Sequence, residues 1–214
     1  MFQRDYFMRM IEQMTEAVGQ IMNLKRERKQ EEALFVIDDW LNKRFRLSSK
    51  LIRSLSDEDL LKVMTTNGIV ETDNMGAIAV LMKQEAELCG ELDREDESFA
   101  AYIKALHLFI RLSLIGAEPT IIEPRGQIEE LLVQLEPYEL PISTKRLLME
   151  WYEAEAKFNL AEDMMHELLD DQMLQAADAA TIYKRMLLHS DEDLEAGGLP
   201  RDEVVQGLQA LLGA

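Results

Sequence analysis

Cysteine, histidine, proline and glycine are all scarce in this 214-residue chain: 1, 3, 5 and 10 copies respectively. A single Cys89 excludes an intramolecular disulfide and any multi-cysteine zinc site, and a lone thiol fits a reducing cytosol. So few glycines and prolines exclude an all-β chain dense in turns. Long apolar runs are missing too. The most apolar stretch, ALHLFIRLSLIGA at 105–117, is too short to span a bilayer and carries Arg111 at its middle. The opening MFQRDYFMRM is broken by charges and does not read as a signal peptide. The expectation is a soluble, cytoplasmic chain that does not enter a membrane.

Motifs of chemistry are equally sparse. Gly197-Gly198 is followed by Leu-Pro and lacks the lysine of a phosphate-binding loop. No G-x-S-x-G nucleophile elbow occurs. DEDLEAGG lacks the twelve-residue calcium-loop pattern. Acidic pairs such as Asp38-Asp39 and Asp170-Asp171 arise by chance among 41 Asp and Glu residues and read as solvated surface and helix starts. A Cys89 nucleophile would need His107 from across the 90–94 turn, whereas position 89 sits on an apolar stripe, where burial is the simpler reading. No cofactor and no catalytic activity are expected.

Charge is plentiful and one-sided, with a net of −18. Residues 1–53 hold 11 Lys/Arg against 8 Asp/Glu, a net of +3, and residues 54–214 hold 12 against 33, a net of −21. Such a chain repels nucleic acid. The basic set (KRERK at 25–29, with Lys43, Arg44, Arg46, Lys50 and Arg53) reads as a solvated helix junction that complements the acidic body, with a phosphate-binding patch as the rival.

What remains is helical periodicity in nearly every segment. Phe7, Met10, Ile11, Met14, Val18 and Ile21 make one stripe over 5–24. Ala33, Leu34, Ile37, Trp40 and Leu41 make another over 29–46. Further helices are expected at 56–65, 74–91, 95–115, 125–136, 144–158 with Ser143 as N-cap, 160–171, 175–189 and 201–212. Asn67-Gly68 serves as a stop, and SDEDLEAGGLP reads as a loop or frayed turn. Glu118-Pro119 and Glu123-Pro124 break the chain. The fold class is all-α. Short links make consecutive helices antiparallel, so the unit is the helical hairpin.

Three second helices share a spacing of small, large and apolar residues at i, i+4 and i+7: Ala33, Ile37, Trp40; Ser98, Tyr102, Ala105; and Ala161, Met165, Leu168. Two first helices match likewise, Met82, Ala86, Cys89 and Lys145, Met149, Tyr152. This resembles the tetratricopeptide (TPR) pattern and implies a TPR-like solenoid of antiparallel hairpins. The chain departs from that pattern in three ways. Its glycine position holds Ala86 or Met149, its closing proline is replaced by Ile110 or Met173, and its units recur every 65 and 63 residues rather than about 34. Short helices at 56–65 and 125–136 are then either drifted repeats or insertions. DYFMRMIEQM, SDEDLLKVM and AEAKFNLAEDMMHELL also resemble an uncharacterised bacterial family of small all-helical proteins with no assigned activity.

One stretch tests the metal reading directly. In AEDMMHELLDD, His166 and Glu167 begin an H-E-x-x-H box, but position 170 is aspartate and His107 and His189 stand alone elsewhere. The helix reading accounts for Ala161, Met164, Met165, Leu168 and Leu169 together, so no metal is expected. Five of 13 methionines fall in the first 22 residues. Methionine adapts to irregular contacts, and residues 1–24 read as a Met-rich capping helix of a single domain over 1–214. The functional expectation is a non-enzymatic protein–protein interaction module, an adaptor or scaffold, binding a basic or neutral peptide or protein on a concave surface. The weakly indicated contact residues are Tyr102, Lys104, Trp151 and Tyr152. The alternatives are a self-assembling homodimer through the first or last helix, or a small-ligand binder or enzyme with a pocket in the superhelix.

Overall fold

The computed structural model describes residues 2–116 and 122–213, with the side chains of residues 2–7 and 10 outside that description. The side chains of the expected stripe residues Phe7 and Met10, and the Glu118-Pro119 break, therefore lie outside the description. The chain is all-α. Twelve helices are present among the described residues: α1 Phe2–Arg26, α2 Gln30–Phe45, α3 Ser49–Ser54, α4 Asp57–Val63, α5 Thr72–Glu91, α6 Glu95–Leu114, α7 Pro124–Leu135, α8 Ile142–Ala154, α9 Phe158–Asp170, α10 Ala176–Met186, α11 Asp191–Ala196 and α12 Arg201–Gly213. None of them is long and apolar enough to cross a membrane. Residue contacts divide the chain into two compact units, Met1–Pro137 and Tyr138–Ala214.

The hairpins α1–α2, α5–α6 and α8–α9 close with one kind of turn, which also ends α9 at Gln172 and α11 at Gly198. Arg28, Asp93 and Ala156 take left-handed backbone (φ 59°, 57° and 55°) at the links α1–α2, α5–α6 and α8–α9. In each, the next amide reaches back five residues: Lys29 N–H to Leu24 O at 2.9 Å, Arg94 to Cys89 at 2.9 Å and Lys157 to Tyr152 at 2.8 Å. This is the helix-closing 6→1 bond that satisfies a terminal carbonyl. The turns lie 65 and 63 residues apart, the spacing of the small–large–apolar triplets. Those triplets sit five residues after each turn, and Ala33, Ala161 and the nearly buried Ser98 mark where the second helix crosses the first. There the Ser98 hydroxyl donates to Ala86 O at 2.7 Å, a close approach that only a small side chain permits.

In the first unit α5 is central. Met75, Ile78, Leu81, Met82, Leu88 and Cys89 are all buried, because α2 packs on one side of α5 and α6 on the other. Met14, Ala17 and Ile21 of α1 and Ile128, Leu131 and Leu135 of α7 complete this core. In the second unit Phe158, Ala161, Met165 and Leu168 of α9 meet Ala179, Ile182, Tyr183 and Met186 of α10, with Leu194, Leu199 and Val204 closing the cluster.

The structure departs from the sequence reading at short elements. A six-residue α3 precedes α4, and Asn67-Gly68 does more than stop a helix. It turns a minimal ribbon in which β1 (Thr65–Thr66) pairs with β2 (Ile69–Val70). Both turn residues have positive φ, which Asn-Gly tolerates in a two-residue hairpin. α8 starts at Ile142, not after Ser143, and ends at Ala154, so the junction falls at 155–157 rather than at Asn159. SDEDLEAGG is not a loop but contains helix α11. Its first five residues, SDEDL at 190–194, repeat those at 56–60. In both copies the serine hydroxyl accepts the amide of the residue three ahead, at 3.0 Å in Asp59 and 3.1 Å in Asp193, and the leucine is fully buried. That identity was the available signal for α11.

Candidate functional site

An extended hollow of the first unit is lined by residues of α1, α5 and α7. Helical spacing places Val18, Met22 and Lys25 on one line of α1, Lys83, Glu87 and Glu91 on one line of α5, and Glu130, Val133 and Gln134 on α7. Two adjoining hollows, about 670 and 600 Å³, share Lys25, Glu87 and Glu91 and form one groove. Tyr102 of α6 reaches its wall, and Met22 and Val133 stand exposed at its rim.

Its floor is made of paired charges. Lys25 Nζ bridges Glu87 Oε2 at 2.8 Å and Glu91 Oε1 at 3.0 Å. Burial alone would lower the Lys25 pKa, but those two hydrogen bonds outweigh it and hold the pKa above the ordinary lysine value. Lys83 Nζ contacts Gln127 Oε1 at 2.9 Å and the Glu130 carboxylate. Lys83 is the more covered partner of the α5–α7 stretch, 15% exposed against 61% for Glu130. That end of the groove therefore presents carboxylate oxygens, and Arg26 and Arg28 stand at the other. Of the basic N-terminal set, Lys25 and Arg53 pair with carboxylates of the later helices, Arg53 with Glu85 and Glu97, while Lys29 and Lys43 pair locally with Glu27 and Asp39.

The four expected contact residues fall in different settings. Tyr102 lines the groove. Lys104 is buried, donates to Leu55 O, and has its pKa lowered by burial. Trp151 is buried, with the half-buried Tyr152 ring 5.2 Å away and Lys157 Nζ 5.1 Å from its centroid. Lys104 and Trp151 therefore hold the interior together. Sequence reasoning noticed Lys25 only as the start of the basic run at 25–29 and passed over Lys83, Glu87, Glu91 and Glu130, because a charge on a helix face reads as solvated until its partner, 62 residues away for Lys25 and 47 for Lys83, is known.

Three buried polar clusters lie elsewhere. Glu85 is nearly buried beneath Arg53 and accepts from Ser49 Oγ at 2.7 Å; burial raises its pKa despite those partners. Asp57 accepts from Arg111 Nε at 2.7 Å and lies 3.6 Å from His107 Nδ1. The His107 bond, aided by Arg111, holds that carboxylate far below its ordinary range. In the second unit Lys145 is enclosed by Glu167, Asp171 and Glu139 at 3.0, 3.1 and 3.2 Å. His166 does not stand with a second imidazole. Its Nε2 is 3.2 Å from the Tyr183 hydroxyl, which donates to Glu162 at 2.5 Å. Cys89 is buried, and burial, with Glu85 and Glu97 near, pushes its thiol up to about 11. Among the described residues no three His, Cys, Asp or Glu side chains gather in a metal-holding group.

A family model covers the chain from residue 1 to residue 214, and the chain belongs to that family, a family of unknown function, DUF6483. No curated protein and no solved structure matches it.

Proposed function

We propose that this member of the family is a non-enzymatic interaction module of TPR-like build, holding an extended peptide or protein segment along the α1–α5–α7 groove. The observation that carries the reading is the continuity of the groove across successive hairpins, from Val18 on α1 to Val133 on α7. Stacked hairpins place their first helices side by side, and a chain segment laid across them meets one helix after another. The wall offers Tyr102 and rim aliphatics for side-chain contact, and the paired floor charges offer hydrogen-bonding groups without a large uncompensated field. The exposed carboxylates at the α5–α7 end favour a neutral segment or one with a basic residue there. A cytoplasmic setting and a role as adaptor or scaffold go with this reading.

The test is selection of displayed random peptides against the full chain, followed by titration of the survivors. Enriched peptides should bind the Tyr102→Ala, Val133→Glu double variant at least about tenfold more weakly, since both residues line the groove and neither is itself fully buried. Peptides that bind the double variant equally well, or an absence of enrichment, would remove the groove as the working surface.

A further inference from the structure

On the side of α5 turned away from the groove stands a carboxylate with only one oxygen bonded. Helical spacing sets Glu85 opposite Lys83 and Glu87, and Glu85 is 3% exposed. Its Oε1 accepts from Ser49 Oγ at 2.7 Å and pairs with Arg53, both on α3. Its Oε2 is buried and has no hydrogen-bond partner among the described residues. Charged groups act on it from three neighbouring helices: Asp38 of α2, Arg53 of α3 and Glu97 of α6, with Cys89 one turn on in α5. Asp38 accepts the Ser49 amide at 2.8 Å, and Arg53 also reaches Glu97 at 3.0 Å. Against three carboxylates there stands one guanidinium. An ionised carboxylate needs both oxygens solvated or bonded. A proton on Oε2 removes the charge and leaves Oε1 to its two donors. Burial, with Asp38 and Glu97, favours that protonated form, and Ser49 and Arg53 oppose it. Burial prevails and holds the Glu85 pKa above its ordinary value.

α3 is the element this charge acts on. It has six residues and one buried side chain, Ile52, and a helix this short is not stable alone. Ile52, the Glu85 bonds and Leu55 O, which accepts from Lys104, hold it in place. α4 is tied separately, through Asp57 to Arg111 at 2.7 Å. Lifting α3 returns Glu85 to water, where the ionised form is favoured. We propose that α3 is a proton-governed cover on the α5–α6 hairpin, closed when Glu85 is protonated and released more readily when Glu85 is ionised. Linkage sets the direction. The closed form binds the Glu85 proton more tightly than the open form. Opening is therefore rarest below the ordinary glutamate value and grows as pH rises through the closed-state value. Lys104 acts with the opposite sign. Burial lowers its pKa, so its contribution favours closure as pH rises through that lowered value.

Native-state hydrogen exchange on the full chain tests the cover. The reporters are the Ile52 and Leu55 amides, bonded to Ser48 O and Leu51 O. Their protection factors, corrected for the intrinsic exchange rate, should rise as pH falls from about 8 to about 4. The rise should be about tenfold for each unit by which the closed-state value exceeds the open one. Glu85→Gln should hold protection flat near the acid level. Glu97→Gln removes a like charge and should move the midpoint to lower pH. Wild-type protection that does not change with pH overturns the proposal, as does a change that survives in Glu85→Gln. Protection of α3 equal to that of the buried Leu88 of α5 at every pH overturns it too, since that behaviour belongs to global unfolding. Where circular dichroism shows that Glu85→Gln does not fold, the Glu97→Gln midpoint decides, and an unmoved midpoint overturns the proposal. Peptide capture by the groove is read separately, so either proposal can fail without the other.

Discussion

The hairpins α5/α6 and α8/α9 are built on one plan and stabilised by opposite means. Each has the same left-handed turn and the same carbonyl closure. At the position where α5 places buried Met82, α8 places Lys145, 63 residues on; where α6 places Lys104, α9 places Glu167. In the second unit the two meet, and Lys145 is neutralised within its own hairpin by Glu167, with Asp171 and Glu139 adding to it. In the first unit Lys104 has a methionine at that position and turns instead to Leu55 O, in the α3–α4 segment. Glu85 is met by Ser49 and Arg53 of the same segment. A hairpin frame therefore leaves the fate of its buried charges open, and whichever segment packs over them decides it. The α3–α4 segment is part of the first unit's interior accounting for charge, since buried charges persist only when paired and hydrogen-bonded.

The sharpest way to break this comparison is at glycine. A Cβ on Gly197 would stand 2.3 Å from Ala156 O and 2.4 Å from the Phe158 ring, against a turn carbonyl that cannot retreat. Gly197→Ala should cost the second unit about 3 kcal/mol, read as a lower urea midpoint by circular dichroism. On Gly90, beside the first unit's turn, the nearest atom is Ser98 Oγ at 3.4 Å. Gly90→Ala should change stability by less than about 1 kcal/mol, because gained helix propensity offsets the tight contact. Equal effects at the two sites would show that the turns are not differently enclosed.

Alkali gives a smaller, more selective difference. Hydrogen bonds to Glu167 and Asp171 raise the Lys145 pKa, and burial with the Glu162 bond raises that of Tyr183. Both folded-state values exceed the unfolded ones. Their stabilisation is complete below about pH 10 and is lost as pH rises through the folded values. In the first unit the lysine shifts oppose each other, upward at Lys25 and downward at Lys104. In a Trp40→Phe background, urea midpoints followed by fluorescence of Trp151 should fall above pH 10, and Lys145→Met with Tyr183→Phe should flatten that fall. An unchanged alkaline limb in the double variant would assign it to other groups. The smallest effect is at Cys89. Its buried thiol, pushed up to about 11, should resist a disulfide reagent at pH 8 in the native chain and react at once in urea. Rapid native reaction would mean that the first unit opens at α5.

Much of the fold was legible because helical periodicity and turn chemistry are local. The spacing of Ala33, Ser98 and Ala161 located the three second helices before any contact was known. The helix expected from 56 begins with the Ser-Asp-Glu-Asp run at 56–59, whereas Glu123-Pro124, read as a break, proves to be the start of α7: Pro124 stands at the first helical position and the Glu123 carboxylate accepts the Gly126 amide at 2.7 Å. Short elements were less legible. α3 and α11 are six residues each, too brief for a periodic stripe. Of the candidate contact residues only Tyr102 stands in the groove, since an aromatic or a lysine on an amphipathic helix looks the same in sequence whether it lines a surface or fills a core.

By itself the sequence determined that this chain is helical, that consecutive long helices pair as hairpins, and which stripe of α2 and α9 turns inward, because all three follow from residues a few positions apart. Tertiary structure decided the partners of its charges. That Lys25 would meet Glu87 and Glu91, that Lys145 would vanish among three carboxylates, and that Lys83 would cover the floor of a groove are long-range facts. A charged side chain states only that it needs water or a counter-charge, and the packing of distant helices determines which one it receives.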